Sequence, residues 1–186
     1  LGIEAYGLVG FYSTLLGVFV FADMGLTATL SREMARLSVL EDSVGKMRDL
    51  LRTYESVYLF SSLALVFIIW VLAPLIAERW LQADTLAPGE IAAAIRLMGI
   101  AIALQVPSGL YNGGLLGLQK QVLFNSLQIT WGMLRGVGAV LILWLFSPTI
   151  FAFVFWQLLS NVVYCFVVSL SLWRAMPSGN SISRFN

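Results

Sequence analysis

Histidine is absent from this chain of 186 residues. Its absence removes the side chain that titrates near neutrality and the commonest metal ligand. Cysteine occurs once, at Cys165 inside an apolar stretch, so no internal disulfide can form and no CxxC or Cys/His cluster is available to a metal. Charge is scarce as well: Asp, Glu, Lys and Arg make up 11% of the residues, less than half the share of roughly a quarter in soluble domains. The net charge of +1 offers no basic field to a nucleic-acid partner. No Walker A, HExxH or GxSxG pattern occurs, which leaves ATP-driven work by this chain unsupported. No cofactor, metal site or catalytic residue is expected. The opening Leu1-Gly2-Ile3-Glu4 is not a basic segment leading into an apolar core, so no signal peptide is read there. The lack of an initial Met points to a piece of a longer protein.

What the chain has in abundance is apolar sequence: 59% of residues are hydrophobic and the mean hydropathy is +0.87. So short a chain cannot bury that much apolar surface in water. About 20 residues of helix cross the ~30 Å hydrocarbon layer. Spans are expected at 8–30, 57–77, 97–118, 122–146 and 149–173. Backbone groups in lipid must be satisfied internally, so these are helices. The short alternating segments of a barrel are missing. The fold class is an all-α membrane protein of about five transmembrane helices.

Lys and Arg set the orientation. Arg32, Arg36, Lys46, Arg48, Arg52, Lys120, Arg174 and Arg184 fall on one side of a five-span arrangement, against Arg79 alone on the other. The side bearing the C-terminal tail is therefore expected to be cytoplasmic. Segment 31–56 is expected as a cytoplasmic amphipathic loop. Its Met34, Leu37, Leu40, Val44, Met47 and Leu51 recur at helical spacing, and Ser38 with Glu41 fits a capping box. A helix lying on the membrane surface is the expected form, with a partner-docking helix as the alternative.

Polarity that survives inside apolar helices marks function. Arg135 is the fourteenth residue of its span. Placing it at mid-membrane costs roughly 2.5–3.5 kcal/mol on insertion scales, so it should face protein or water. Gln128 and Trp131 share its helical face, as do Asn125 and Gly138. The preceding span carries Gln105, Ser108 and Asn112, and the last carries Gln157, Asn161 and Tyr164. Three stripes of period about 3.6 would line a hydrated cavity if they converge. The same amides serve equally well as helix–helix glue. Candidate cavity residues are Arg135, Gln128, Trp131, Asn112, Gln105 and Asn161. A guanidinium grips phosphate bidentately and stays charged, which suits an anionic substrate. Trp131 and Trp156 either stack on sugar or lipid faces or pack as ordinary aromatics. Asp23 lies roughly 10 Å inside its span and serves either ion coupling or local structure. Arg96 is expected as an interfacial snorkelling anchor. Pro107 and its neighbouring glycines suggest a bent helix or close packing.

Several short stretches resemble one family. Leu1-Gly2-Ile3-Glu4-Ala5-Tyr6-Gly7 resembles the outer turn after the first helix of the lipid-linked polysaccharide flippases. These are the O-antigen and exopolysaccharide exporters of the multidrug/oligosaccharidyl-lipid/polysaccharide superfamily. Asp23-Met24-Gly25-Leu26 with Ser31-Arg32-Glu33 resembles the end of their second helix. Leu116-Gly117-Leu118-Gln119-Lys120 resembles their inner turn between helices four and five, and Trp173-Arg174-Ala175-Met176-Pro177 their exit from helix six. The resemblance implies that residues 1–186 are a partial N-terminal lobe of a multidrug-exporter-like fold, lacking the first of six helices and the second lobe. It implies a bacterial inner-membrane transporter, not an enzyme, that flips undecaprenyl-diphosphate-linked oligosaccharide. Its partners would be that substrate, membrane lipids and polysaccharide assembly proteins, with no nucleic acid. Arg135 is the position that matches the family's cationic cavity residues. A multidrug exporter of the same fold, a membrane-embedded polymerase or glycosyltransferase, and an accessory membrane subunit remain as alternatives.

The charge bias has a direct check. A single cysteine in place of Lys120 should react with a membrane-impermeant maleimide only after permeabilisation, and one in place of Arg79 in intact cells. The reverse pattern would invert the orientation.

Overall fold

The computed structural model of the protein describes residues 3–22, 25–40, 43–79, 87–145 and 148–177. These form α1 (Ile3–Ala22), α2 (Leu26–Ser38), α3 (Val44–Arg79), α4 (Pro88–Ala103), α5 (Gln105–Gly117), α6 (Gln121–Leu145) and α7 (Ile150–Ala175), with no strand among the described residues. Within them, α3, α4–α5, α6 and α7 are long and apolar enough to cross a membrane. Helix α1 has 20 residues, about 30 Å at the usual helical rise, the thickness of the hydrocarbon layer. The protein is all-α, as its hydropathy predicts.

Segment bounds depart from the sequence expectation in three places. The helix expected from residue 97 begins at Pro88, so Arg96 lies inside α4 and not at its outer start. The expected span 8–30 is divided: α1 ends at Ala22, and α2 starts after Gly25, whose φ of 77° is a left-handed conformation that only glycine adopts without strain. The expected loop 31–56 is helical over nearly all of its described length. Its first part closes α2. Its second part is the start of α3, which continues without interruption through 57–77 for 36 residues, about 54 Å in all. The capping box does not begin a helix at residue 39. Ser38 is the last residue of α2 and donates back to the Ala35 carbonyl at 2.7 Å. Ser43 instead donates to the carbonyls of Leu37 and Leu40 ahead of the new helix. Glu41 lies outside the described residues.

The apolar stripe of 31–56 is used inside the protein, not laid on a membrane surface. Met34, Leu37, Met47 and Leu51 are buried in one cluster with Leu110, Leu115, Tyr164, Val168 and Leu172. Burying such side chains against protein contributes roughly 1.5–3 kcal/mol each if they would otherwise meet water. Leu40, at 49% exposure, stays outside that cluster. At this basic end, the Glu55 carboxylate of α3 accepts from the Tyr111 hydroxyl of α5 (3.1 Å) and the Trp173 indole of α7 (3.3 Å). One acceptor thereby ties three helices together.

Helix α7 packs against α1, α4, α5 and α6, while α5 runs among α2, α3 and α7. Helix α6 is at the edge, and of its residues Ala139 alone is buried. Val122, Ile129, Met133, Val137, Val140 and Trp144 are exposed, as lipid-facing side chains should be. Helices α4 and α5 are separated by Leu104 alone. Pro107, three residues further on, has no N–H to offer the preceding turn. The Asn161 amide of α7 reaches across and donates to the Ala101 carbonyl at 2.8 Å, supplying a donor beside the interruption. Helix α5 ends with Gln119 at φ 57°. There the Lys120 N–H bonds the Leu115 carbonyl and the Gln119 N–H bonds the Leu116 carbonyl, a Schellman ending that reverses the chain into α6.

Two apolar clusters occupy different levels along the helices. One joins Leu8 and Tyr12 of α1, Ile69 and Ala73 of α3, most of buried α4, and Ile150 and Val154 of α7. The other, at the basic end, is the cluster containing the α2 stripe. Between them on their helices lie buried Ser62, Ser108, Gln157, Ser160 and Asn161, with half-buried Gln105 and Arg135 at the same level. A polar belt therefore divides the core at mid-depth.

The α2–α5 contact depends on bare backbone. A Cβ on Gly117 would run into the Ser31 carbonyl and the Met34 side chain, and one on Gly113 into Thr27. Gly117→Ala should therefore destabilise the protein by about 1–3 kcal/mol, the usual cost of overpacking. Gly10→Ala, whose Cβ meets nothing within 4 Å, should not. Thermal unfolding in detergent micelles measures both.

Candidate functional site

Arg135 occupies the middle of α6, the 25-residue helix that begins at Gln121. Its guanidinium carbon lies 5.1 Å from the centroid of the Trp131 ring, one turn earlier on the same face. That cation–π contact offsets part of the cost of a charge removed from water. No Asp or Glu among the described residues lies within 4.0 Å of it, since the ion pair found there is Arg36–Glu33 near the basic end. The Trp131 ring in turn stacks on Tyr164 of α7, with centroids 4.4 Å apart and planes 21° from parallel. The Tyr164 hydroxyl donates to Asn112 Oδ1 of α5 at 2.8 Å. Arg135, Trp131, Tyr164 and Asn112 thus form one chain of contacts through α6, α7 and α5. A second device fixes the backbone. The Trp156 indole N–H bonds the Arg135 carbonyl at 3.1 Å, and its ring lies where a Cβ on Gly138 would stand.

A cavity of about 450 Å³ opens beside Arg135. Trp131, Gly132, Arg135 and Gly136 of α6 form one wall, and Phe153 and Gln157 of α7 face them. Ala139 and Leu143 of α6 also line it, so the lining is mostly apolar around Arg135 and Gln157. Tyr12 of α1 packs edge-on to Phe153 at 6.2 Å and lies within electrostatic range of Arg135 and beside Asn161. Several buried polar atoms at this level have no hydrogen-bond partner: Tyr12 OH, Gln105 Nε2, Trp131 Nε1, Gln157 Oε1 and Asn161 Oδ1. Each would cost about 1–3 kcal/mol if left dry. Of these residues Trp131 and Gln157 line the cavity, a place for water or ligand to meet them, whereas Tyr12, Gln105 and Asn161 do not.

The sequence candidates divide by position. Arg135 and Trp131 line the cavity. Asn112 supports it through Tyr164. Asn161 spends its amide N–H on Ala101 and keeps Oδ1 unpaired, and Gln105 keeps an unpaired Nε2 at the α4–α5 junction. Gln128 is half-buried and outside the cavity lining. Asp23 lies outside the described residues. Arg96 stands 5.0 Å from the Trp70 ring centroid, on the α3–α4 side of the lobe. Tyr12 and the glycines at 132 and 136 escaped the sequence reading. Tyr12 is an aromatic among aromatics, and a glycine in a membrane helix signals packing as readily as space. Gln157 belonged to a polar stripe, and only its place opposite Arg135 distinguishes it.

The profile of the family described as polysaccharide biosynthesis protein matches residues 1–183. The chain belongs to that family. No curated protein and no solved structure matches it. This member of the polysaccharide biosynthesis family is thus a multi-pass helical membrane protein with a cation at the middle of one span and a cavity beside it.

Asn161→Ala removes the donor to Ala101 next to the α4–α5 interruption. It should lower stability by about 0.6–1.7 kcal/mol, the range for interhelical hydrogen bonds in membranes. Unfolding in mixed micelles measures this, and an unchanged midpoint would relieve Asn161 of the bracing role.

Proposed function

We propose that the protein flips undecaprenyl-diphosphate-linked oligosaccharide across the bacterial inner membrane, by alternating access and without bond chemistry. One observation carries the proposal: Arg135 at mid-membrane, with no carboxylate partner among the described residues, beside an open cavity. A permanent cation at that depth is expensive, and a diphosphate that visits and leaves would repay the expense in each cycle. The guanidinium provides paired donors for phosphate oxygens. Membership of the polysaccharide biosynthesis family supports the glycan class of cargo. The same cation disfavours export of amphipathic cationic drugs. In the proposed orientation, the basic end of the lobe faces the cytoplasm, where the charged lipid intermediate is made.

The test replaces Arg135 in the chromosomal gene with Ala or Lys and follows surface polysaccharide at matched protein levels. Ala should lower it by at least about tenfold, as expected for losing a charged hydrogen-bond donor worth about 1.5–3 kcal/mol. Lipid-linked oligosaccharide should accumulate inside. Lys should restore part of the activity by supplying charge without the planar fork. Full activity in both variants would remove Arg135 from the substrate path.

A further inference from the structure

Glycines in this lobe fall into two groups. Those at 99, 113, 114, 117 and 138 are bare because a neighbour occupies the place of their Cβ. Gly132 and Gly136 meet nothing within 4 Å, although both line the cavity beside Arg135. They are one helical turn apart and so form a continuous bare strip on α6. Across the cavity stands Gln157, 4% exposed, with Oε1 unpaired. A buried carbonyl oxygen needs a hydrogen-bond donor, and neither an ionised diphosphate diester nor a polyprenyl chain brings one. The site therefore combines a cation for an anion, an acceptor for a neutral hydroxyl, and unobstructed backbone between them.

We propose that Gly132 and Gly136 keep this strip clear for the sugar next to the anionic group held by Arg135, and that Gln157 accepts a hydroxyl of that sugar. The cavity then reads the phosphate–sugar junction of its lipid-linked cargo. The inference rests on the flippase proposal and assigns these three residues to substrate selection. The ligand chemistry is an anion with an adjoining hydroxyl. A lipid-linked sugar diphosphate has it, and so does the glycerol headgroup of phosphatidylglycerol.

Native mass spectrometry separates these sources. The protein produced from its whole gene, in detergent micelles, is titrated with undecaprenyl-diphosphate monosaccharide, undecaprenyl diphosphate and phosphatidylglycerol. The wild type should prefer the sugar-bearing lipid over undecaprenyl diphosphate by about tenfold, of the order that one or two added hydrogen bonds supply. Gly132→Leu and Gly136→Leu should abolish that preference by filling the strip, and Gln157→Leu by removing the acceptor. All three should weaken the sugar-bearing lipid more than undecaprenyl diphosphate, which still meets Arg135. Gly136→Ala, should the leucine variant be poorly produced, should reduce the preference part-way.

Glycine variants that keep the sugar preference overturn the inference, and the flippase proposal survives if Arg135→Ala still weakens both undecaprenyl lipids. Equal binding of phosphatidylglycerol by the wild type also overturns it, as does a glycine variant that changes only the oligomeric mass, which would assign the strip to helix docking. A wild type that binds none of the three lipids overturns the flippase proposal and this inference together.

Discussion

A guanidinium cannot shed its charge, and in Arg135 it stands at the centre of an apolar membrane helix. Lipid would exact roughly 2.5–3.5 kcal/mol for it there, so the surrounding structure has to provide another environment. Trp131 lies under it, Tyr164 backs Trp131, and Asn112 anchors Tyr164. Trp156 holds the Arg135 carbonyl and nests on Gly138, which fixes the rotation of α6 about its own axis. The result is an edge helix whose one cation points into the lobe's cavity while its apolar side chains face outward.

The polar belt follows from the same constraint. Two apolar clusters fill the ends of the lobe, and the level between them carries the serines, amides and the guanidinium. Some of these groups are consumed in joining helices, as where Asn161 meets the Ala101 carbonyl. Others keep unpaired atoms. Two of them, on Trp131 and Gln157, border the cavity, where a polar occupant can satisfy them. Helix α6 packs chiefly on α7, with a smaller contact to α5. The wall that carries the cation therefore has neighbouring helices on one side only.

The basic end is built differently. Helix α3 runs from the charged segment into the apolar span without a break, and its stripe packs with that of α2 on α5 and α7. Glu55 takes hydrogen bonds from two other helices at this end. Charged and apolar parts of one long helix are thereby joined to the same packed unit.

By itself, the sequence determined that this is an all-helical membrane protein, because runs of about 20 apolar residues have no other stable state and lipid forces each to satisfy its own backbone. It also determined that Arg135 is the exceptional residue, since the cost of a buried cation depends on position along the span and needs no knowledge of neighbours. The stripes of 105–112, 128–135 and 157–164 were legible as periodicity. Which of them became glue and which became cavity was not, because that depends on how helices rotate and cross. Tertiary structure alone placed Gln157 opposite Arg135, left Gln128 outside the lining, and put the α2–α3 stripe inside the protein instead of on a membrane surface. It alone separated glycines that admit a neighbour from those that keep space open. A missing side chain is the same in the sequence either way, and only the atoms opposite it decide what the gap is for.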